Sequence, residues 1–188
     1  CSMSSLSAIV TAPPGSGSWN GNVMSAFSVN RRRILSLWLP RLPTDRIKRA
    51  LSRRGDAPDS GQPWAVVVRQ SNALQISALN DAAAAIGLAV GLPLANARAI
   101  CPDVHVFDAD EAADGRTLGD IADWCDRFTP LVALDPPHGL FLDISGCAHL
   151  FGGEQAMLRT VCEALGRQGF VVNAAIAATP ACARTLAR

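Results

Sequence analysis

The sequence predicts a mixed α/β domain in which helices pack against a sheet. Two observations support this fold class, and a third argues against a membrane-spanning helix. The chain has 188 residues, of which 49% are hydrophobic, enough to bury one good core or two small ones. Short apolar runs alternate along the chain with segments of helical periodicity. No apolar run approaches the roughly 20 residues that a membrane-spanning helix requires.

Short apolar runs predict the strands. Residues 33–39 (RILSLWL) are almost continuously apolar and end at Pro40, which favours a central strand over a helix. Residues 63–80 contain two such runs joined by the turn-forming pair Ser71–Asn72, which indicates a hairpin. Two further strands are expected, at residues 140–146 (LFLDISG) and 170–178 (FVVNAAIAA).

Helical periodicity accounts for most of the remaining segments. Residues 42–54 predict a helix that Thr44 caps and that buries Ile47 and Leu51. Residues 114–128 predict a long helix, because apolar residues recur there at helical spacing and form a core-facing stripe. That stripe consists of Leu118, Ile121, Ala122, Cys125 and Phe128. Helices are also expected on both sides of GLAVGLP (87–93), at 154–169 with Met157, Val161 and Leu165 on one face, and from TPACARTLAR at 179–188.

Charge and cysteine content exclude several classes of protein. The balance of 17 Lys and Arg against 16 Asp and Glu gives a net charge of +1, which provides no overall electrostatic footprint for nucleic acid or an anionic membrane. The six cysteines form no CxxC pair and lie mostly in apolar or helical patterns, so we expect reduced thiols in a cytoplasmic protein.

The first 29 residues differ in composition from the rest of the chain. They are rich in Ser, Gly, Asn and Pro, and we predict a disordered leader over 1–29 followed by a folded domain over 30–188. Because the chain opens on Cys1 and stops within a helix at Arg188, we expect a partial reading frame in which Met24 is a candidate start.

The familiar patterns of enzyme chemistry are missing from the sequence. His105, His138 and His149 form no helical i, i+4 pair, and the Cys147–His149 cluster is too small for a four-ligand zinc site. No phosphate-binding glycine loop or nucleophile elbow is found. An acidic run is interpreted as a solvated loop leading into a helix N-terminus, and it comprises Asp108, Asp110, Glu111 and Asp114.

Four segments, taken in order, carry a family resemblance. They are residues 33–40 (RILSLWLP), 79–107 (LNDAAAAIGLAVGLPLANARAICPDVHVF), 128–146 (FTPLVALDPPHGLFLDISG) and 172–188 (VNAAIAATPACARTLAR). Together they resemble the palm and fingers of a Y-family, UmuC-type, translesion DNA polymerase. The resemblance implies a palm with a mixed sheet flanked by helices and a small fingers insertion at about 44–100, without the thumb and little finger.

The resemblance also implies where catalytic carboxylates would lie. Two-metal nucleotidyl transfer needs acidic side chains from separate strands to hold two divalent cations. The first acidic pair of an active family member falls at Trp38 and Pro40, and the second falls at His138 and Gly139. Carboxylates are therefore expected to be missing from all four positions. Asp135 is the stray carboxylate of this region.

Other positions that the family uses are also changed. The residues that select the sugar correspond to Arg41 and Leu42. The triphosphate-binding Tyr, Arg and Lys correspond to Asp81, Ala84 and Pro180, so the resemblance implies no catalytic, nucleotide-binding or metal-binding residue and no cofactor. Asp143 is retained, but it is not one of the family's metal ligands, and we expect it to bond backbone at the end of its strand.

Two phrases, LWLPRLPTDR and LDISGCAHLFGGE, resemble the non-catalytic, ImuB-like branch of this family. That likeness implies an adaptor in the damage-induced (SOS) response that joins an error-prone C-family DNA polymerase, the RecA-like protein ImuA and the sliding clamp at damaged DNA. The clamp would be bound through a region outside this chain, and this chain would bind DNA weakly. Two alternatives remain open: an active polymerase with ligands relocated to Asp108, Asp110 and Asp135, and a truncated frame without function.

Overall fold

The computed structural model describes residues 10–11, 32–56 and 61–188. These residues form two sheets and six α-helices of a mixed α/β fold, as the sequence predicts. In chain order the elements are β1 (Val10–Thr11), β2 (Ile34–Trp38), α1 (Leu42–Arg54), β3 (Trp64–Gln70), β4 (Ala73–Leu79), α2 (Asp81–Ala85), α3 (Leu94–Ile100), β5 (His105–Asp108), α4 (Glu111–Cys125), β6 (Val132–Asp135), β7 (Gly139–Asp143), a 3₁₀ turn (Ala148–Phe151), α5 (Glu154–Arg167), β8 (Asn173–Ala177) and α6 (Pro180–Ala187).

The larger sheet has the strand order β1-β8-β2-β7-β6. β2 is antiparallel to both of its neighbours, β7 and β8, so the prediction of a central strand is confirmed. Side chains alternate between the faces of a strand. Leu35 and Leu37 accordingly pack in the main core with α4 and α5, whereas Ile34 packs on the other face with Ala183 of α6.

The main core lies between the larger sheet and the pair α4 and α5. The apolar stripe predicted over residues 114–128 is confirmed on α4 for Leu118, Ile121 and Cys125, which are buried, and for Ala122, which packs against them. Phe128 is also buried in this core, but it follows the helix, which ends at Cys125. The predicted face of α5 is also confirmed, because Met157, Val161 and Leu165 are fully buried. This packing holds the larger sheet in place and so positions the ends of its strands.

The smaller sheet has the order β4-β3-β5. The predicted hairpin is confirmed: Ser71 and Asn72 join its strands with φ angles of 45° and 65°. Positive φ at both central residues matches the right-handed twist of a two-residue hairpin. β5 pairs in parallel with β3, although the sequence pattern had not predicted this strand. The fingers boundary at about 44–100 stays a prediction.

Some local predictions were wrong. Thr44 does not cap α1, because the helix already begins at Leu42, with Pro43 in its first turn, where proline is tolerated. The Thr44 hydroxyl donates instead to the Arg41 carbonyl at 2.9 Å. Asp114 is not solvated, because it is buried and accepts a 2.6 Å bond from Arg46 Nε.

The remaining predictions concern the leader, the cysteines and membrane spans. Of the predicted leader, the structure describes only Val10–Thr11, which pair in parallel with β8; the rest of 1–29, including Cys1 and Met24, lies outside the described residues. The five described cysteines are unpaired. No helix among the described ranges is long and apolar enough to cross a bilayer.

Candidate functional site

Trp38 and His138 meet where β2 ends and β7 begins. The antiparallel register places Trp38 opposite Gly139, and the Leu39 N–H donates to the His138 carbonyl at 2.9 Å. The rings of Trp38 and His138 lie 5.6 Å apart between centroids, tilted by 41°. Two positions predicted from separate motifs are therefore neighbours, and both carry aromatic rings where the resemblance implies carboxylates only in active family members.

Arg184 of α6 and Arg188, which directly follows that helix, complete this cluster. The Arg188 guanidinium lies 4.1 Å above the centroid of the Trp38 ring, a cation–π geometry. Arg188 Nη2 is also 3.2 Å from Asp135 Oδ2, and Arg184 Nε is 3.1 Å from the same oxygen. The stray carboxylate predicted at Asp135 is thus buried and paired with two cations. We call Trp38, Asp135, His138, Arg184 and Arg188 the strand-end cluster.

Gly139 is enclosed by the turn that precedes it. A Cβ atom at this position would lie 2.8 Å from the Asp135 carbonyl oxygen and 3.0 Å from Asp135 Oδ2. The first of these atoms is backbone and cannot rotate away. The residue at 139 is therefore held to glycine by the conformation of residues 135–138, in which the Pro136–Pro137 bond is cis.

The environment of His138 favours its neutral form. Burial lowers the pKa of this imidazole from its ordinary value of 6.5; Asp114 opposes the shift and Arg188 adds to it. A neutral imidazole beside a guanidinium is consistent with the close approach of Arg188. The cluster is thus cationic at the arginines and uncharged at Trp38 and His138.

The positions that would hold a nucleotide lie apart from this cluster or are engaged elsewhere. Arg41, which lies between β2 and α1, forms an ion pair with Asp81 at the start of α2. This ion pair connects the turn after β2 to α2. Leu42 is fully buried in the main core. Ala84 is exposed on α2, and Pro180 is the first residue of α6. Pro40 is exposed in the turn after β2.

The three carboxylates that the active-polymerase alternative would use as metal ligands do not come together. Asp108 ends β5 in the smaller sheet, Asp110 caps α4 by accepting from the Ala113 N–H, and Asp135 belongs to the larger sheet. Within residues 32–56 and 61–188, no three His, Cys, Asp or Glu side chains are grouped as a metal site would require. Cys147 directly precedes the 3₁₀ turn, and His149 lies within it.

Asp143 is bonded as the sequence predicts for a strand end. Its Oδ1 accepts from the Ser145 N–H at 3.0 Å, and its Oδ2 is 3.3 Å from Arg32 Nε. Although burial acts to raise it, the hydrogen bonds from Ser145 and the contact with Arg32 lower the pKa of Asp143. This carboxylate therefore stabilises the chain after β7.

Sequence reasoning missed the role of Arg184 and Arg188. Their signal was the i, i+4 spacing, which brings side chains together on a helix, although α6 itself ends at Ala187 and Arg188 directly follows it. The spacing alone did not reveal their partner, because Asp135 lies 49 and 53 residues earlier on the edge strand.

Comparisons with known proteins agree with this fold. The family model "IMS: impB/mucB/samB family" matches residues 57–188. "Protein ImuB" from two strains of Caulobacter vibrioides is 48% identical over 103 residues, which are 55% of this chain and 22% of the relative. The chain thus matches less than a quarter of the length of these relatives.

Solved polymerase structures share the architecture. DinB from Sulfolobus solfataricus superposes with a TM-score of 0.63 at 14% identity, covering 82% of this chain and 45% of that one. A post-insertion binary complex of Dbh DNA polymerase gives a TM-score of 0.68 at 14% identity with the same coverage. At this identity the likeness establishes the fold.

Together, the mixed sheet, the helices on its faces and the second small sheet define a fold that is similar to the palm and fingers of Y-family DNA polymerases. The chain belongs to the impB/mucB/samB family, and 103 of its residues are similar to Protein ImuB.

Proposed function

We propose that this chain is the palm and fingers of a non-catalytic polymerase-like adaptor in damage-induced translesion synthesis. The observation that carries the proposal is the strand-end cluster, where Trp38 and His138 face each other and the nearest carboxylate, Asp135, is paired with two arginines.

The chemistry of the cluster supports the absence of nucleotidyl transfer. A two-metal mechanism needs unpaired carboxylates around two divalent ions. Two unit charges about 4 Å apart near a protein surface interact by about 4 kcal/mol, so the guanidinium of Arg188 above Trp38 opposes a divalent cation at this place. Asp135 has no free charge to offset that repulsion.

The ion pair between Arg41 and Asp81 supports the same proposal. In the family these two positions serve the sugar and the triphosphate of the incoming nucleotide. Here a cation and an anion bind each other directly, and a carboxylate at Asp81 repels phosphate instead of binding it. Orientation of the leaving group, on which phosphoryl transfer largely depends, is then lost.

The partners that we propose for the adaptor rest on its resemblance to the ImuB-like branch. We propose that the full natural protein links an error-prone C-family DNA polymerase, a RecA-like partner and the sliding clamp at damaged DNA in the cytoplasm, as part of the SOS response and its mutagenesis. The palm would serve as a scaffold, because its core is intact while its strand ends have lost the chemistry.

Primer extension tests the catalytic half of this proposal. The full natural chain, incubated with a primed template, nucleotides and Mg²⁺ or Mn²⁺, is expected to add no nucleotide under conditions in which an active Y-family polymerase extends the primer. Restoring the second acidic pair directly is a poor control, because Gly139→Glu would force a side chain against the Asp135 carbonyl.

The matched variant is therefore Trp38→Asp with His138→Asp, which places carboxylates on both strands where the rings now meet. We expect this variant to stay silent because Pro40, Asp81 and Arg188 remain. Incorporation by the wild type would refute the non-catalytic proposal and favour the alternative, an active polymerase. Failure of the full chain to co-purify with either the C-family polymerase or the clamp would refute the adaptor role.

A further inference from the structure

A cleft of about 160 Å³ opens between α1, α4 and the segment after α5. None of the residues of the strand-end cluster lines it. Its walls combine cationic, acidic and aromatic side chains, chiefly Arg46, Arg49, Arg53, Asp120, Trp124 and Phe170.

The three arginines lie on one face of α1, at spacings of three and four residues. Arg46 is already committed to Asp114 through a 2.6 Å bond. Neither Arg49 nor Arg53 is within ion-pair distance of a carboxylate in the described parts of the chain. Burial, and next the charge of Arg53, lower the pKa of Arg49, while the charge of Asp45 acts in the opposite direction. An anion between the two guanidinium groups would relieve their mutual repulsion.

Aromatic rings form the apolar part of the cleft. The guanidinium of Arg49 lies 4.3 Å from the centroid of Phe170, which is buried. Trp124 is held edge-to-face against Phe128 at 5.2 Å, and Arg127 lies over its ring at 4.6 Å. Both rings are fixed by packing, so an apolar group entering the cleft finds a surface that is already ordered.

Size and charge select the class of ligand. Small-molecule sites usually measure about 300–1,000 Å³, so a cleft of about 160 Å³ takes one or two side chains and not a whole nucleotide. A nucleic acid strand, with a phosphate at each nucleotide, would also meet Asp120 in the cleft and the exposed Asp123 beside it. A peptide avoids this repulsion, since only its acidic side chain needs to reach the arginines.

We infer that the cleft binds an acidic peptide segment of a partner protein. A carboxylate of the peptide pairs with Arg49 and Arg53, a neighbouring apolar side chain packs on the partly exposed Trp124 ring, and Asp120 can accept a peptide N–H. The inference goes beyond the proposed function, because it holds whether or not the palm is catalytic.

A displayed random-peptide library, selected on the immobilised full chain, tests this inference. We expect the enriched peptides to combine Asp or Glu with an adjacent apolar residue. Labelled synthetic copies of them should lose affinity roughly tenfold or more for Arg49→Gln with Arg53→Gln, because each lost partner removes a charge-assisted hydrogen bond. Arg49→Lys with Arg53→Lys, which keeps the charge but not the forked geometry, should fall in between.

The matched control is Arg69→Gln with Arg159→Gln, which removes two exposed arginines outside the cleft. It should bind the peptides as the wild type does. If the Arg49→Gln, Arg53→Gln variant melts at a lower temperature than the wild type, Arg53→Gln alone replaces it in the binding test, because Arg53 is exposed. The inference would be overturned if the enriched peptides lacked acidic residues, or if the Arg49→Gln, Arg53→Gln variant bound them as tightly as the wild type. It would also be overturned if that variant lost affinity only for a primed DNA measured in parallel, a result that would indicate a nucleic-acid surface.

Discussion

The middle of the larger sheet and its end near Trp38 are built from the same strands but differ in what they require. In the middle, Leu35, Leu37, Leu140 and Leu142 are fully buried. At the end, Trp38 and His138 are only half-buried and Pro40 is exposed. The middle needs apolar volume of the right size, which many sequences supply, whereas a catalytic end needs particular side chains. The residues at the strand ends can thus vary more freely than those in the middle while the fold persists.

Removing apolar volume from the middle should have the largest effect. Leu142→Ala empties a site on β7 that is inaccessible to solvent, and we expect it to lower the free energy of unfolding by about 2–5 kcal/mol. Leu134→Ala, on the edge strand of the same sheet where the side chain is 52% exposed, should cost less than about 0.5 kcal/mol. Urea denaturation of both variants makes the comparison, and equal losses would mean that the sheet lacks a distinct interior.

Gly139→Ala tests how tightly the strand end is packed. The added methyl group would lie 2.8 Å from the Asp135 carbonyl oxygen, and we expect a loss of about 2–3 kcal/mol. Gly119→Ala is the matched control, since a Cβ there meets no atom within 4 Å and the residue lies inside α4. That substitution should stabilise the protein by up to about 1 kcal/mol. Thermal melting distinguishes the two, and a neutral Gly139→Ala would contradict the enclosed turn.

Asp45 gives the smallest expected effect and a dependence on pH. Burial raises the pKa of Asp45 to about 6, although the Val171 N–H and Arg41 act in the opposite direction. The folded protein therefore binds this proton more readily than the unfolded chain, whose pKa is near 3.8. The contribution of Asp45 to stability is complete below pH 3.8 and is lost as the pH rises through 6.

Asp45→Asn removes this dependence. The full change in pKa corresponds to roughly 3 kcal/mol, and we expect a net gain of about 1–2 kcal/mol above pH 6, because the amide oxygen still has to accept from Val171. The gain over the wild type should shrink as the pH falls toward 3.8. Melting temperatures of both proteins across this range measure it. A gain that is the same at every pH would show that Asp45 is not the titrating group.

The sequence was sufficient for elements whose pattern is local. The apolar run of β2, the Ser71–Asn72 turn and the stripe on α4 each follow from the residues that form them. The β5 strand was missed because its four residues carry no clear alternation, and it is specified by pairing with β3. Asp114 was misassigned because its partner, Arg46, is distant in sequence.

The candidate site was only partly visible in the sequence. Trp38 and His138 were assigned from the family resemblance, and the antiparallel register of β2 and β7 brings them together. The pairing of Asp135 with Arg184 and Arg188 could not be assigned, since it depends on where α6 packs across the sheet. Charge pairing between distant elements is determined by tertiary packing, and a single sequence carries little trace of it.

The enclosed position of Gly139 also bears on which substitutions this strand end can accept. No side chain can appear at 139 until the backbone at Asp135 moves, and Asp135 is held by two arginines. A substitution to an acidic residue there would require the turn to be remodelled and the contacts of Asp135 with those arginines to be broken. Packing around one glycine therefore makes this strand end hard to change by single substitutions.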